Sequence, residues 1–180
     1  MKMFWEKGFD ATSMNDLAAA TGMAKPGLYA NFGDKEALYT MALTHYFDEL
    51  GSPLLDDLAR SPDPLVVVVR RFLDAIAASV VDKTSPGGCF IVNSVIECAN
   101  RPAPLENLAR AFDAKRSAAF LDRFRLAKRQ GELPADADAR ALAEFFAGQV
   151  LALAVMGRAG ANRKSIDRVI DVAMKVIPAD

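Results

Sequence analysis

The side chains that most often perform chemistry are scarce in this 180-residue sequence. His45 is the only histidine, and Cys89 and Cys98 are the only cysteines. The sequence therefore lacks the residues for a histidine-based metal cluster, and His45 alone could activate a nucleophile. No GxxxxGK[ST] phosphate loop occurs, and no GxGxxG follows a predicted strand. These observations argue against an enzyme and predict neither a metal site nor a cofactor.

Cys89 is the residue whose surroundings most favour reactivity. It follows Gly87 and Gly88 at the start of a predicted helix, and a helix N-terminus stabilises a nearby thiolate. Cys89 is therefore a candidate redox-sensing residue, with a small packing residue as the alternative. Cys98 lies ~13.5 Å along the axis of the same helix and on its opposite side, which excludes a disulfide between the two cysteines.

Polar residues continue from Cys89 along one side of this helix. Asn93 and Glu97 lie about 40° and about 80° from Cys89, because each residue turns the helix by ~100°. We expect both side chains to make polar contacts between helices. The candidate partners are arginines, namely Arg71, Arg101 and Arg116.

The overall composition is that of one large or two small globular domains. About half of the residues are apolar, and the formal net charge is −1, which argues against disorder. The most apolar stretch, 141–160, contains Glu144, Gln149 and Arg158, so no membrane span is predicted. No secretory signal opens the chain, and two cysteines are too few for a disulfide framework. A cytoplasmic location is therefore expected.

The hydrophobic pattern predicts an all-α fold of about nine helices. Apolar residues recur at i, i+3 and i+4, and the breaks fall at glycine and proline clusters such as Gly51–Pro53. Four short helices are expected before residue 50. Longer ones follow at about 64–81, 89–99, 105–130, 136–158 and 163–177. These two groups predict an N-terminal domain over 1–47 and a C-terminal domain over 48–180.

The N-terminal residues show the signals of a helix-turn-helix. Ser13 precedes Asp16 by three positions, which is close to a capping box and predicts a helix over Met14–Thr21. Gly22 permits the left-handed turn that ends this helix. Pro26 suits the first turn of a second helix. Such an arrangement places its second helix in the major groove of DNA.

The residues between Phe4 and Leu43 carry a more specific signal. The run FWEKGFDATS, followed by LAAATGMAKPGLYANFGDKEALY, closely resembles the DNA-binding domain of TetR (tetracycline-repressor-like) transcriptional regulators. The resemblance implies an all-helical homodimer, a C-terminal ligand-binding domain, and repression relieved by a small molecule. It also implies further residues before Met1, often basic ones that touch DNA.

The resemblance assigns roles to individual residues of the N-terminal domain. Its core would contain Phe9, Leu17, Leu28, Phe32 and Leu38. The DNA-binding residues that it implies are Thr12, Ser13, Tyr29 and Lys35 for phosphates, Lys25, Pro26 and Gly27 at the start of the recognition helix, and Asn31 near base edges or backbone.

The C-terminal helices contain many large apolar residues. The resemblance implies that these residues form a ligand pocket and a dimer interface. The last two long helices are expected to pair with their copies in a second chain, around a two-fold axis. The aromatic supply suggests an apolar or aromatic small-molecule effector. Gly88, Cys89, Asn93 and Glu97 also resemble a subgroup whose members include cysteine-based sensors. The candidate pocket residues are Phe72, Ile76, Phe90, Asn93, Phe112, Phe120, Phe124 and Phe146.

The charge distribution leaves a second function open. Residues 1–50 hold four lysines and seven acidic residues, a balance of 4 − 7 = −3, so we expect this 180-residue form to bind DNA weakly. The alternative to a ligand-controlled repressor is a helical small-molecule or redox sensor without effective DNA binding. Either function predicts a soluble protein that binds no membrane.

Overall fold

The computed structural model describes residues 1–97 and 103–178. Within these ranges, all regular secondary structure is helical. Cys98 and Arg101, which entered the predictions above, lie outside the described residues. The α-helices are α1 (Lys2–Lys7), α2 (Met14–Thr21), α3 (Lys25–Phe32), α4 (Lys35–Tyr46), α5 (Ser52–Arg60), α6 (Leu65–Val80), α7 (Phe90–Glu97), α8 (Ala103–Gln130), α9 (Ala139–Arg158) and α10 (Arg163–Met174).

One continuous helical rod leads out of the N-terminal helices. It consists of α4, a π-helical segment at Phe47–Gly51, and α5. If the rod counts as one helix, the ten α-helices of the described residues become nine, in agreement with the sequence. The predicted break at Gly51–Pro53 is wrong, however. Pro53 has no N–H, and just before it the Ser52 N–H donates to the Phe47 carbonyl, five residues back, so the rod continues in a π turn.

Local capping chemistry sets the helix-turn-helix. Ser13 and Asp16 form the predicted capping box, and Gly22 follows α2 in the left-handed conformation at φ 70°. The bonds from Ser13 lower the pKa of Asp16 to about 2, because they stabilise the carboxylate. The Asp34 side chain likewise caps α4 by accepting from the Ala37 N–H. The predicted helix over Met14–Thr21 is therefore confirmed residue for residue.

Two hydrophobic cores share the described residues. The N-terminal core contains the predicted Leu17 and Leu28, with Phe9, Phe32 and Leu38 packed against it. It is larger than the sequence predicted, because α7 and α8 extend it beyond residue 47. Its additional buried members include Phe4, Trp5, Tyr39, Tyr46, Phe47, Phe90, Ile91, Leu105 and Phe112. The C-terminal core is formed mainly by α6, α8, α9 and α10.

Helix α9 is the centre of the C-terminal core. By length and composition alone it could cross a membrane, with a mean hydropathy of 1.5. It packs against α8 and α6, however, and Phe146, Val150 and Leu153 are buried there. These contacts account for part of its apolar character, since 39% of the helix window is buried.

Helices α6 and α9 approach each other closely at Gly157. A Cβ atom at this position would lie 2.6 Å from Val80 Cβ and 2.7 Å from the Val80 carbonyl oxygen. The same carbonyl accepts from the Gly88 N–H at 3.3 Å. Gly88 itself has φ +69° and lies against the Ala154 carbonyl. This close approach holds the 81–89 loop against α9.

Candidate functional site

The first turn of α3 forms an exposed edge of the N-terminal domain. Lys25, Pro26 and Gly27 occupy the first three positions of α3, and Lys25 and Pro26 are exposed to solvent. Tyr29, one turn later, is 51% exposed although it is aromatic. An exposed tyrosine beside a lysine at a helix N-terminus can present a hydroxyl, a cation and backbone N–H groups to phosphates.

Other predicted DNA-binding residues flank this edge. Ser13 is exposed at the N-terminus of α2, where its hydroxyl is engaged by Asp16. The Asn31 side chain is exposed, and its Nδ2 donates to the Gly27 carbonyl at 2.7 Å. The Asn31 amide oxygen thus remains directed away from the helix backbone. Polar groups of α2 and α3 are thus exposed to solvent, and their DNA contacts stay a prediction.

The structure corrects the role of Thr12. Its side chain is fully buried, and its hydroxyl donates to the Gly8 carbonyl at 2.6 Å. Thr12 therefore cannot reach a phosphate in this conformation. It instead joins the end of α1 to the start of α2, because it returns a hydrogen bond to a carbonyl at the C-terminus of α1.

Lys35 also has an internal role. Its Nζ donates to the Phe9 carbonyl at 2.9 Å and to the Thr12 carbonyl at 3.0 Å. It lies 4.2 Å from the centroid of the Phe9 ring, in a cation–π contact. Two of the three ammonium donors thus hold the 8–13 turn against α4, and one remains for a phosphate.

A cavity opens between the rod and helices α6, α7 and α8. Its volume is about 70 Å³, it is partly open to solvent, and its walls are mainly apolar. The π-helical segment contributes Phe47, Leu50 and Gly51 to the wall. The remaining lining residues are Tyr46, Leu54, Leu55, Ile76, Ser79, Cys89, Ile91, Phe112, Arg116 and Val150.

Only part of the predicted pocket lines this cavity. Ile76 and Phe112 do so, whereas Asn93 and Phe90 do not. The other predicted aromatics are wrong for this cavity, because they pack against one another in the C-terminal core and are at most 3% exposed. Their ring centroids lie 5.2–6.2 Å apart, which is a normal aromatic packing distance. These aromatics are Phe72, Phe120, Phe124 and Phe146.

The polar groups of the cavity come from three helices and the start of α7. The Tyr46 hydroxyl donates to Cys89 Sγ at 3.5 Å, and burial raises the pKa of Tyr46, with a further contribution from Cys89. Cys89 is a free, half-buried thiol in the wall, so its redox role stays a prediction.

The two described arginines that were candidate partners of Asn93 and Glu97 pair with other residues. Arg116 is buried and pairs with Asp113, whereas Arg71 pairs with Asp57 and Asp63. The predicted pairing of Arg71 or Arg116 with the Asn93–Glu97 stripe is thus corrected.

Helix α7 connects the cavity with the DNA-binding helices. Ile91, in its first turn, lines the cavity. One turn later, Ser94 Oγ donates to the Phe90 carbonyl and lies 2.5 Å from the Tyr39 hydroxyl of α4. The two hydroxyls thus form a buried hydrogen bond between α7 and α4. A displacement of α7 would therefore strain or break a hydrogen bond to α4.

The 81–89 loop makes a second connection to the N-terminal domain. Trp5 Nε1 of α1 donates to the Gly87 carbonyl at 3.1 Å. Arg158, at the end of α9, donates to the Pro86 carbonyl at 3.1 Å and to the Glu6 carbonyl at 2.7 Å. Helix α1 is thus fixed to the loop that precedes Cys89.

Comparison with known proteins agrees with this architecture. Residues 1–42 match the family model of bacterial regulatory proteins of the tetR family. Residues 67–173, more than half of the chain, match the model of a tetracyclin repressor-like C-terminal domain. The first model covers the helix-turn-helix, and the second covers most of the C-terminal helices.

Individual relatives extend over nearly the whole chain. The HTH-type transcriptional repressor ComR of Escherichia coli K12 is 27% identical over 99% of this chain and 85% of its own length. A cysteine mutant of the regulator CifR, solved with 26-bp double-strand operator DNA, has a TM-score of 0.89 at 27% identity and covers 98% of this chain and 92% of that one. A regulator from Rhodococcus sp. RHA1 is 31% identical over 100% of this chain and 96% of its own, with a TM-score of 0.67. The chain belongs to the TetR family of bacterial transcriptional regulators.

Proposed function

We propose that this protein is a homodimeric repressor that binds a two-fold symmetric DNA operator and leaves it when a small molecule occupies the cavity. The observation that carries the proposal is the exposed first turn of α3, which lies on a helix-turn-helix tied to the cavity by α7. The similarity to ComR, a repressor, and to the operator-bound CifR regulator supports it. A regulator of this kind acts on DNA in the cytoplasm.

The proposal divides the chain into the two units expected from the sequence. Residues 1–47 carry the DNA-contacting surface, and residues 48–180 carry the dimer interface and most of the cavity wall, which Tyr46 and Phe47 complete. The N-terminal core crosses this boundary through Phe90 and Phe112. Such shared packing lets a change at the cavity alter the orientation of α3.

Binding of operator DNA tests the proposal directly. The upstream DNA of the protein's own gene serves as the specific probe, and random DNA of the same length serves as the comparison. Fluorescence anisotropy should show tighter binding to the specific probe, with an affinity that falls as salt rises. Absence of any salt-sensitive, sequence-specific binding would exclude the repressor.

Replacement of Lys25 by alanine should weaken binding to specific and random DNA by similar factors. The slope of log affinity against log salt should flatten by about 1, because one phosphate contact releases about one counterion. Lys83, an exposed lysine in the 81–89 loop, provides the control, since Lys83→Ala removes the same charge outside the N-terminal domain. A Lys25→Ala protein with an unchanged salt slope and an altered base preference would contradict a phosphate contact.

An exposed apolar surface on α9 and α10 supports the dimer. Phe145 and Val155 of α9 and Val172 of α10 are 36%, 48% and 63% exposed. Phe145, Val172 and Ala173 also border a groove between the two helices. An apolar surface of this kind marks a protein contact, and two copies related by a two-fold axis would cover it.

Replacement of Val172 by lysine should convert the dimer to monomer at micromolar concentrations. The lysine would be buried next to Arg168 of the same groove, and an unpaired buried charge is strongly unfavourable. Val67→Lys is the matched control, because Val67 is an exposed valine on α6 at 49% exposure. Sedimentation velocity distinguishes the two variants. Equal dimer fractions in both would place the interface elsewhere.

A further inference from the structure

Arg116 is a buried cation in the wall of an otherwise mainly apolar cavity. It is 7% exposed, and one of its terminal nitrogens pairs with Asp113 of the same helix. Its Nε atom is buried and has no hydrogen-bond partner among the described residues. A buried N–H without an acceptor is unfavourable and rare in folded proteins. The contact with Asp113 therefore leaves part of the hydrogen-bonding capacity of the Arg116 guanidinium unused.

Arg123 is a second buried arginine, and it has a structural role. Arg123 Nε also lacks a partner, but the terminal nitrogens of Arg123 are held by Glu132 and by the Asp63 carbonyl. That guanidinium bridges two loops and lies in the packed interior. Arg116 differs because its guanidinium lies in a cavity wall and contacts a single carboxylate.

The remaining cavity wall favours a negatively charged group beside Arg116. The lining residues include hydroxyls at Tyr46 and Ser79 and the thiol of Cys89, but no carboxylate. Arg116 is thus the one charged side chain among the lining residues of the cavity.

An apolar surface suited to a flat or extended ligand adjoins the charged end. Phe47 and Phe112 stack with centroids 4.2 Å apart and an interplanar angle of 7°. Ile76, Leu54 and Val150 complete the apolar part of the wall. A ligand that satisfies Arg116 would lay its hydrocarbon portion against these side chains.

We propose that the cavity binds a small organic acid whose carboxylate pairs with the Arg116 guanidinium and whose aromatic or aliphatic body packs against Phe47, Phe112 and Ile76. The assignment goes beyond an apolar or aromatic effector, because it adds a required negative charge and names the residue that recognises it. It rests on the proposed function only in treating the bound acid as the effector.

Matched acids and amides test the charge requirement in the dimeric full-length protein. One series runs from hexanoate to decanoate and another from benzoate to 4-phenylbutyrate, each acid paired with the carboxamide of the same carbon skeleton. Isothermal titration calorimetry should show at least one acid binding about tenfold or more tightly than its amide, as expected for a hydrogen bond to a charged group. Amides that bind as tightly as their acids, or two series in which no acid binds, would overturn the proposal.

Variants on α8 assign the preference to Arg116. Arg116→Met should remove the difference between acid and amide. Asp113→Asn should strengthen acid binding, because it removes the carboxylate that competes for the guanidinium, and this opposite change keeps the test decisive if Arg116→Met folds poorly. Arg110→Met is the control, since Arg110 is an exposed arginine of α8 paired with Glu106. An acid preference that persists in Arg116→Met, or that Asp113→Asn leaves unchanged, would refute the assignment.

Release of DNA separates this inference from the proposed function. If an acid binds with the expected dependence on Arg116 but does not release operator DNA, the cavity assignment stands and ligand-controlled release is wrong. If a neutral compound binds the cavity and releases DNA while no acid binds, the repressor stands and the organic acid is wrong.

Discussion

Replacement of Arg123 by leucine is expected to lower the free energy of unfolding by about 3–5 kcal/mol, the usual effect of breaking a buried ion pair from one side. Arg123 is 1% exposed and bonds Glu132 and the Asp63 carbonyl. Glu132 in turn accepts from the Leu65 N–H at the start of α6. The substitution would therefore leave a carboxylate beside the N-terminus of α6 without its cation.

Urea unfolding of matched variants measures this effect. Arg125→Leu removes an exposed arginine from the same helix and should change the stability by less than about 0.5 kcal/mol. Addition of Glu132→Gln to Arg123→Leu should restore part of the loss, because the amide carries no stranded charge. If Arg123→Leu unfolded at the same urea concentration as Arg125→Leu, the network would contribute nothing to stability.

Substitution of Gly157 by alanine is expected to destabilise the protein by about 1–3 kcal/mol through overpacking. The new methyl group would overlap Val80 Cβ and the Val80 carbonyl at 2.6–2.7 Å, and a backbone atom cannot move aside as a flexible side chain can. The displaced carbonyl also accepts from Gly88, and the adjacent Arg158 bonds Pro86 and Glu6. We therefore expect weaker DNA binding together with the lower stability.

Gly148 provides the control on the same helix. A Cβ atom there has no neighbour within 4 Å, so Gly148→Ala should gain up to about 1 kcal/mol from the better helix propensity of alanine. Thermal unfolding of the two variants at equal protein concentration makes the comparison. Equal shifts in Tm for both substitutions would show that the contact between α6 and α9 is not tight at Gly157.

The helix-turn-helix could be predicted closely because its signals are local. Ser13, Asp16 and Gly22 determine the ends of α2 through bonds and turns within a few residues of each other. The continuation of the rod through Gly51–Pro53 could not be predicted in this way. Glycine and proline normally interrupt a helix, and here the π turn and the packing of α5 against α8 outweigh that tendency.

The candidate site was predictable only in part, because side-chain direction depends on distant contacts. Lys35 turns inward since Phe9, 26 residues earlier, supplies both a carbonyl and a ring. The cavity shows the same dependence. The sequence identified aromatic residues by type, whereas Tyr46, Cys89 and Arg116 converge only because α4, α7 and α8 cross at one place.

The π-helical segment changes the direction in which side chains project from the rod. An α-helix advances ~100° per residue, so the register change at Phe47–Gly51 rotates every later side chain relative to the earlier ones. Tyr39 and Leu43 thereby face the N-terminal core, while Leu58 of the same rod faces the C-terminal core. If the same residues formed an uninterrupted α-helix, Leu58 would be turned by roughly 100° away from its core, because the π turn absorbs one extra residue. The segment thus lets the two ends of the rod point their apolar residues into two different cores. Its own side chains form part of the cavity wall.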